Sequence, residues 1–270
     1  MSRKEELIKV AKETVQMIRT GKYEVRGVEV NITDILQTSI KEAYFIGRER
    51  VLKISAEYKT KGIIKVQNMS TLGAFEEYEG SGKVGILNFA SAKNPCGGFL
   101  NGVFTQEESL AYCTDMYNTL NKFKNEYYEA NRKNMYGGLY TDRMIVSPKS
   151  VVFRGNDLKT RISGTACIVT CPAVNRGVAL QSKIKDSIIE KTMENRIRKI
   201  LIAMENEGCK TIILGAYGCG VFKNKATVVA RIFKKLLIEE QFANCFERIV
   251  FAIPGGENLR AFEEVFKGFK

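Results

Sequence analysis

At 270 residues and 30.4 kDa the chain can bury a sizeable core, and no apolar run approaches the ~20 residues a bilayer span requires. The complete lack of histidine removes Ser-His-Asp and Cys-His catalysis, histidine general bases and any zinc site that needs an imidazole. A formal charge of +12, from 42 Lys+Arg against 30 Asp+Glu, favours polyanionic partners, although the basic residues are dispersed rather than gathered in a block.

Apolar residues at near-helical spacing over 3–19 predict an amphipathic helix that Gly21 stops. Residues 23–58 read as mixed, with a short strand over 28–32, a helix over 34–48 and a strand over 51–58. A strand follows over 63–69, a helix over 70–79 and a strand over 82–90. The pattern from 105 to 130 predicts one helix, ended by Gly137 and Gly138. Stretches 139–145 and 151–153 look extended and are separated by Pro148; 165–174 reads as a buried strand. Then come a long helix over 184–207, a strand over 211–214, a helix over 224–238, a strand over 248–253 and a last helix over 257–266. Strand–helix alternation argues for an α/β fold with a mixed, largely parallel sheet covered on both faces. One such domain over 61–270, with an N-terminal helical extension over 1–60 packed on it, fits better than two domains.

Seven cysteines, without a C-x-x-C pair, read as reduced core thiols. The chain's first residues lack the apolar core of a secretory signal, so a cytoplasmic protein is expected.

The chemistry concentrates after the strand over 82–90. A loop holding Asn94, Cys96, Gly97, Gly98 and Asn101 leads to Thr105-Gln106-Glu107-Glu108 at a helix start. Backbone without side chains can approach a ligand closely, its N–H groups can hold an anion, and carboxylates nearby can do acid/base work. The same four residues are also a capping box, with Glu108 reaching back to the cap, and this structural reading stands beside the catalytic one. Neighbouring helical residues point about 100° apart, so one carboxylate would be catalytic and the other would bind or cap.

A second cluster, Gly215-Ala216-Tyr217-Gly218-Cys219-Gly220-Val221-Phe222, follows the strand over 211–214 and precedes a helix that Asn224 could cap. Its G-x-x-G-x-G spacing is neither the dinucleotide fingerprint nor a P-loop. A diphosphate clamped between the two glycine loops is the preferred reading, with a plain tight turn as the alternative. Asn88, Asn94 and Asn101 could bond sugar hydroxyls or shape the loop. Tyr217 and Phe222 could stack on a base or merely pack, and Arg176 could meet a phosphate or solvent.

The string N-P-C-G-G-F-L-N-G-V-F-T-Q-E-E-S-L, together with C-P-A-V-N-R-G and G-A-Y-G-C-G-V-F, resembles the microbial-type poly(ADP-ribose) glycohydrolases, a branch of the macrodomain fold. The resemblance covers nearly the whole chain. It implies a three-layer α/β/α enzyme that cleaves the ribose–ribose bond at the terminal unit of poly(ADP-ribose), releasing ADP-ribose without a metal or cofactor. It makes Glu108 the catalytic carboxylate and Glu107 a ligand of the neighbouring ribose. Gly97 and Gly98, with Gly218, Cys219, Gly220, Val221 and Phe222, would hold the diphosphate and adjoining ribose. Asn88, Asn94, Cys96, Gln106, Gly215 and Tyr217 complete the expected substrate-binding set. Cys96 stands where the family usually has the first of three glycines. A hydrolase of ADP-ribose attached to proteins or nucleic-acid bases would use the same pocket, as would a non-catalytic reader. The expected partners are the polymer or an ADP-ribosylated macromolecule, with nucleic acid open, no membrane and a monomeric state.

Overall fold

A computed structural model of the chain describes residues 2–47, 53 and 61–269; the strand predicted over 51–58 falls largely outside them, whereas the helix predicted over 34–48 ends at Glu42, because Tyr44–Ile46 pair as a strand with residues 144–146. Helix α1 (Arg3–Thr20) begins with a capping box between Ser2 and Glu5 and ends on Gly21 at φ 68°, a left-handed turn that costs glycine little. Strands β1 (Lys22–Val25) and β2 (Val28–Asn31) form a hairpin. Its two central residues, Arg26 and Gly27, both have positive φ, which suits the twist of a two-residue turn. Next come α2 (Thr33–Glu42), β3 (Tyr44–Ile46), β4 (Ile63–Gln67), α3 (Thr71–Tyr78), β5 (Val84–Phe89), α4 (Gln106–Cys113), α5 (Met116–Asn121) and α6 (Ala130–Lys133). The remainder runs β6 (Met144–Arg154), β7 (Thr160–Cys171), α7 (Arg176–Gln181), α8 (Asp186–Asn206), β8 (Thr211–Leu214), α9 (Ala226–Lys234), β9 (Arg248–Ala252) and α10 (Gly256–Val265).

Among the described residues seven strands form one sheet in the order β3-β6-β7-β5-β8-β9-β4. Neighbours from β7 to β4 are parallel, whereas β6 runs antiparallel to both β7 and β3. Alternate residues of the central strands enter opposite cores. Leu87, Val169 and Leu214 pack under α8, α9 and α10, while Ile86, Ile168 and Ile213 pack under α1, α3, α4 and α5. The result is three layers, α/β/α, with both sheet faces covered, as parallel strands require.

Several predicted elements differ. The helix expected over 105–130 is broken, because Thr114 is extended and bridges to Val152, and Asp115 accepts from Ser150 Oγ at 2.5 Å and Val151 N at 2.9 Å. Beyond α5, residues Lys124–Glu129 form a wide π-type turn. The stretches on either side of Pro148 are one strand: Pro148 sits where the β6/β7 register shifts between Ser147 and Ser150, the kind of irregularity that tolerates proline. Residues 139–142 are not strand. Buried Arg196 on α8 takes the carbonyl of Leu139 and the Asp142 carboxylate, both at 2.9 Å, and holds them as a loop. β1, β3 and α7 are elements the periodicity did not reveal.

Candidate active site

Strands β5 and β8 end side by side, and the loops that follow them face each other across a cleft of about 550 Å³. Ligands of open α/β sheets sit at such carboxyl ends. The walls are the loop after β5, the first turn of α4 and the loop after β8.

Both glutamates lie at the floor, and both are buried. Glu108 Oε1 accepts from Gly98 N at 2.8 Å, and Oε2 accepts from Thr105 N at 3.0 Å and from the Thr105 hydroxyl. The reach-back half of the capping box is therefore real, yet the carboxylate still lines the cleft. The structural and catalytic readings are compatible. Glu107 Oε2 accepts from Ser91 N at 2.7 Å, and Oε1 accepts from Asn88 Nδ2 at 3.3 Å. Burial pushes the Glu107 carboxyl up to about 8, against the pull of these donors and aided by Glu108, so it is largely neutral at pH 7.

Gly97, at φ +55°, closes over both side chains. A Cβ there would stand 2.2 Å from Glu108 Oε1 and 3.1 Å from Glu107 Oε2. Only glycine lets the loop pass this close. Cys96 also takes a left-handed φ, 58°, which costs a non-glycine residue roughly 1–2 kcal/mol. Its side chain is fully buried in the core with Phe99 and Tyr112, behind the loop and outside the cleft wall.

The two loops use their backbones differently. In the first, the N–H groups of Ser91 and Gly98 go to the glutamates and that of Gly97 goes to the Asn94 carbonyl. In the second, the N–H groups of Gly218, Gly220, Val221 and Phe222 make no backbone hydrogen bond among the described residues. Free amides at a strand end form an anion cradle. The second loop offers such amides, whereas the first commits those of Ser91 and Gly98 to the carboxylates.

Of the expected binding residues, Asn94, Gly97, Gly98, Gln106, Gly218, Gly220, Val221 and Phe222 line the cleft. Gln106 commits its amide to β5: Oε1 accepts from Phe89 N and Nε2 donates to Leu87 O, both at 2.9 Å. Asn88 is buried beneath Glu107, donating to it and to Thr170 Oγ1. Tyr217 is buried, its hydroxyl on Cys171 O at 3.0 Å and its ring 5.7 Å from Phe89, so it packs the sheet end rather than stacking on a ligand. Gly215 lies against Ala252 O and the Phe89 ring. Cys219 is partly buried and off the wall. Asn224 does not cap α9; its Nδ2 donates to Val174 O at 2.8 Å and Gly218 O at 3.0 Å, tying the second loop to the segment after β7. Arg176 pairs with Asp186. Phe89, Ser91, Asn101, Val103, Thr105 and Ala216 also line the cleft. Thr105 and Asn101 were visible in the motif, whereas an apolar wall from Phe89 and Val103 carries no local sequence signal.

Fold and site define a three-layer α/β/α protein with two carboxylates at the floor of a cleft at the carboxyl ends of its parallel strands. The model of the microbial-type poly(ADP-ribose) glycohydrolase catalytic domain matches residues 11–155. The crystal structure of poly(ADP-ribose) glycohydrolase from Thermomonospora curvata is 31% identical, with a TM-score of 0.90 over 97% of this chain and 100% of that one. The Deinococcus radiodurans enzyme in complex with ADP-ribose is 29% identical, with a TM-score of 0.81 over 89% of this chain and 100% of that one. The Thermomonospora enzyme bound to the inhibitor ADP-HPD is likewise 31% identical, with a TM-score of 0.87 over 96% of this chain and 99% of that one. Among curated proteins nothing matches. The chain belongs to the microbial-type poly(ADP-ribose) glycohydrolase family, and it is a glycosidase.

Proposed function

We propose that the chain hydrolyses the ribose–ribose O-glycosidic bond at the terminal unit of poly(ADP-ribose), releasing ADP-ribose, with Glu108 as the catalytic carboxylate. The observation that carries this is the shared floor: Gly97 brings the first loop against both carboxylates, opposite the free amides of the second loop. The terminal diphosphate lies on Gly218, Gly220, Val221 and Phe222. Glu107, neutral in the empty site, hydrogen-bonds the ribose whose bond is cut.

Three donors, Gly98 N, Thr105 N and the Thr105 hydroxyl, hold the Glu108 carboxyl in place. Glu108, so held, shares a proton with the departing ribose oxygen. It then activates water against an oxocarbenium-like centre, which the nearby diphosphate stabilises. Such proton transfer is worth ~10²–10⁴ in rate. Glu108→Gln is expected to lose at least that factor in ADP-ribose release while ADP-ribose binding, measured by calorimetry, is largely kept. Near-wild-type turnover removes the assignment.

The +12 charge favours a second substrate class, ADP-ribose attached to nucleic acid. Release of ADP-ribose from polymer, modified protein and modified DNA, measured in parallel, ranks the three.

A further inference from the structure

Near Glu107, and outside the residues that line the cleft, lies a group of buried polar atoms that the mechanism does not use. The wide turn over Lys124–Glu129 turns two consecutive tyrosines, Tyr127 and Tyr128, into the core; both are fully buried, their rings edge-on at 4.6 Å. An ordinary helical turn would point neighbours 100° apart, and wide turns of this kind recur at functional sites. Neither hydroxyl has a partner among the described residues, nor does Asn88 Oδ1. The sheet beneath them carries a row in register across three strands: Asn88 on β5, Thr170 on β7 and Ile145 on β6. Ile145, Tyr127, Tyr128 and Cys96 share one core cluster, and Asn88 Nδ2 connects the row to Glu107. A buried hydroxyl left unpaired is destabilising, and native proteins meet such a need with ordered water when several polar groups converge.

We propose that Tyr127 and Tyr128 are positioning residues for Glu107, donating through buried water that Asn88 Oδ1 also holds, so that the rear of the Glu107 carboxyl is fixed while its front meets the ribose. The titratable groups facing Glu107 are Glu108 on its own helix, Cys96 from the glycine loop, and these two tyrosines. Burial holds Cys96 and both tyrosines protonated, pushing each well above its ordinary value, so each hydroxyl can serve only as a neutral donor. Donors favour the ionised carboxylate; removing them drives the Glu107 proton affinity up.

The inference rests on the reading of Glu107 as a substrate ligand only for its catalytic meaning, and its test is independent of activity. The protein is labelled at the glutamate carboxyl carbon, the Glu107 resonance is assigned by its loss in Glu107→Gln, and its titration is followed by NMR in wild type, Tyr127→Phe and Tyr128→Phe. In at least one phenylalanine variant the titration midpoint is expected to move up by ~1 pH unit, a tenfold gain in proton affinity, with a lowered Tm. An unmoved midpoint in both variants, or a Tm equal to or above wild type in both, overturns the proposal, because hydroxyls that bond nothing are lost without penalty. Turnover assays on the same samples report separately on the catalytic reading.

Discussion

At the scale of single residues, the site places two adjacent glutamates in different electrostatic surroundings. Glu107 is raised to about 8 from an ordinary 4.5, and the linkage has a definite sign. A carboxyl whose folded value lies above its unfolded one contributes stability in full below pH 4.5 and loses it as pH rises through about 8. Glu107→Gln cannot ionise, so its Tm relative to wild type is expected to improve between pH 5 and pH 9. The change corresponds to roughly 2–4 kcal/mol, and thermal melts at the two pH values measure it. A difference that stays constant or runs the other way contradicts a buried, neutral Glu107. Cys96 takes a left-handed backbone and turns its thiol into the core.

Individual elements carry the next layer. The break between α4 and α5 exists because Asp115 ties the chain to β6 through Ser150 and Val151, and burial raises this carboxyl to about 6. Stability that depends on the neutral form is present below pH 3.8 and is lost as pH rises through about 6. Asn keeps the accepting oxygen without the charge, so Asp115→Asn is expected to match or exceed wild type at pH 8. Asp115→Ala orphans two donors and loses ~1–3 kcal/mol; urea denaturation distinguishes the pair. This break also marks the limit of what the sequence discloses. Helices α1, α3, α8 and α10 were legible because their periodicity and stops are local, as at Gly21. The fracture at Thr114 was not, since its cause is a bridge to Val152, distant along the chain. Likewise the Q-E-E string pointed to the carboxylates, but only the folded backbone reveals that the first-loop amides of Ser91 and Gly98 are already committed to them. For Tyr217 beside its glycines, stacking and packing were both open in the sequence, and its buried hydroxyl on Cys171 O favours packing.

Across the whole molecule, charge and chemistry are separated. The chain carries +12, yet among the described residues no lysine or arginine lines the cleft. On the proposed reading, attraction of the polymer is long-range and screened by salt, while short-range amide contacts that salt affects little hold the terminal unit. Raising salt from 50 to 200 mM is expected to raise KM for long polymer by roughly an order of magnitude, and to change the Kd for free ADP-ribose far less. Equal salt dependence of the two would place cations in the cleft itself. The tie made by Asn224, which joins Gly218 to the segment after β7, has a kinetic consequence. A cradle braced before ligand arrives has little ordering entropy left to lose, so binding energy appears as a slow departure rather than a slow arrival. If the proposed amide cradle holds the product, ADP-ribose is expected to leave slowly after the bond is cut, and product release rather than cleavage is expected to set the pace along one polymer.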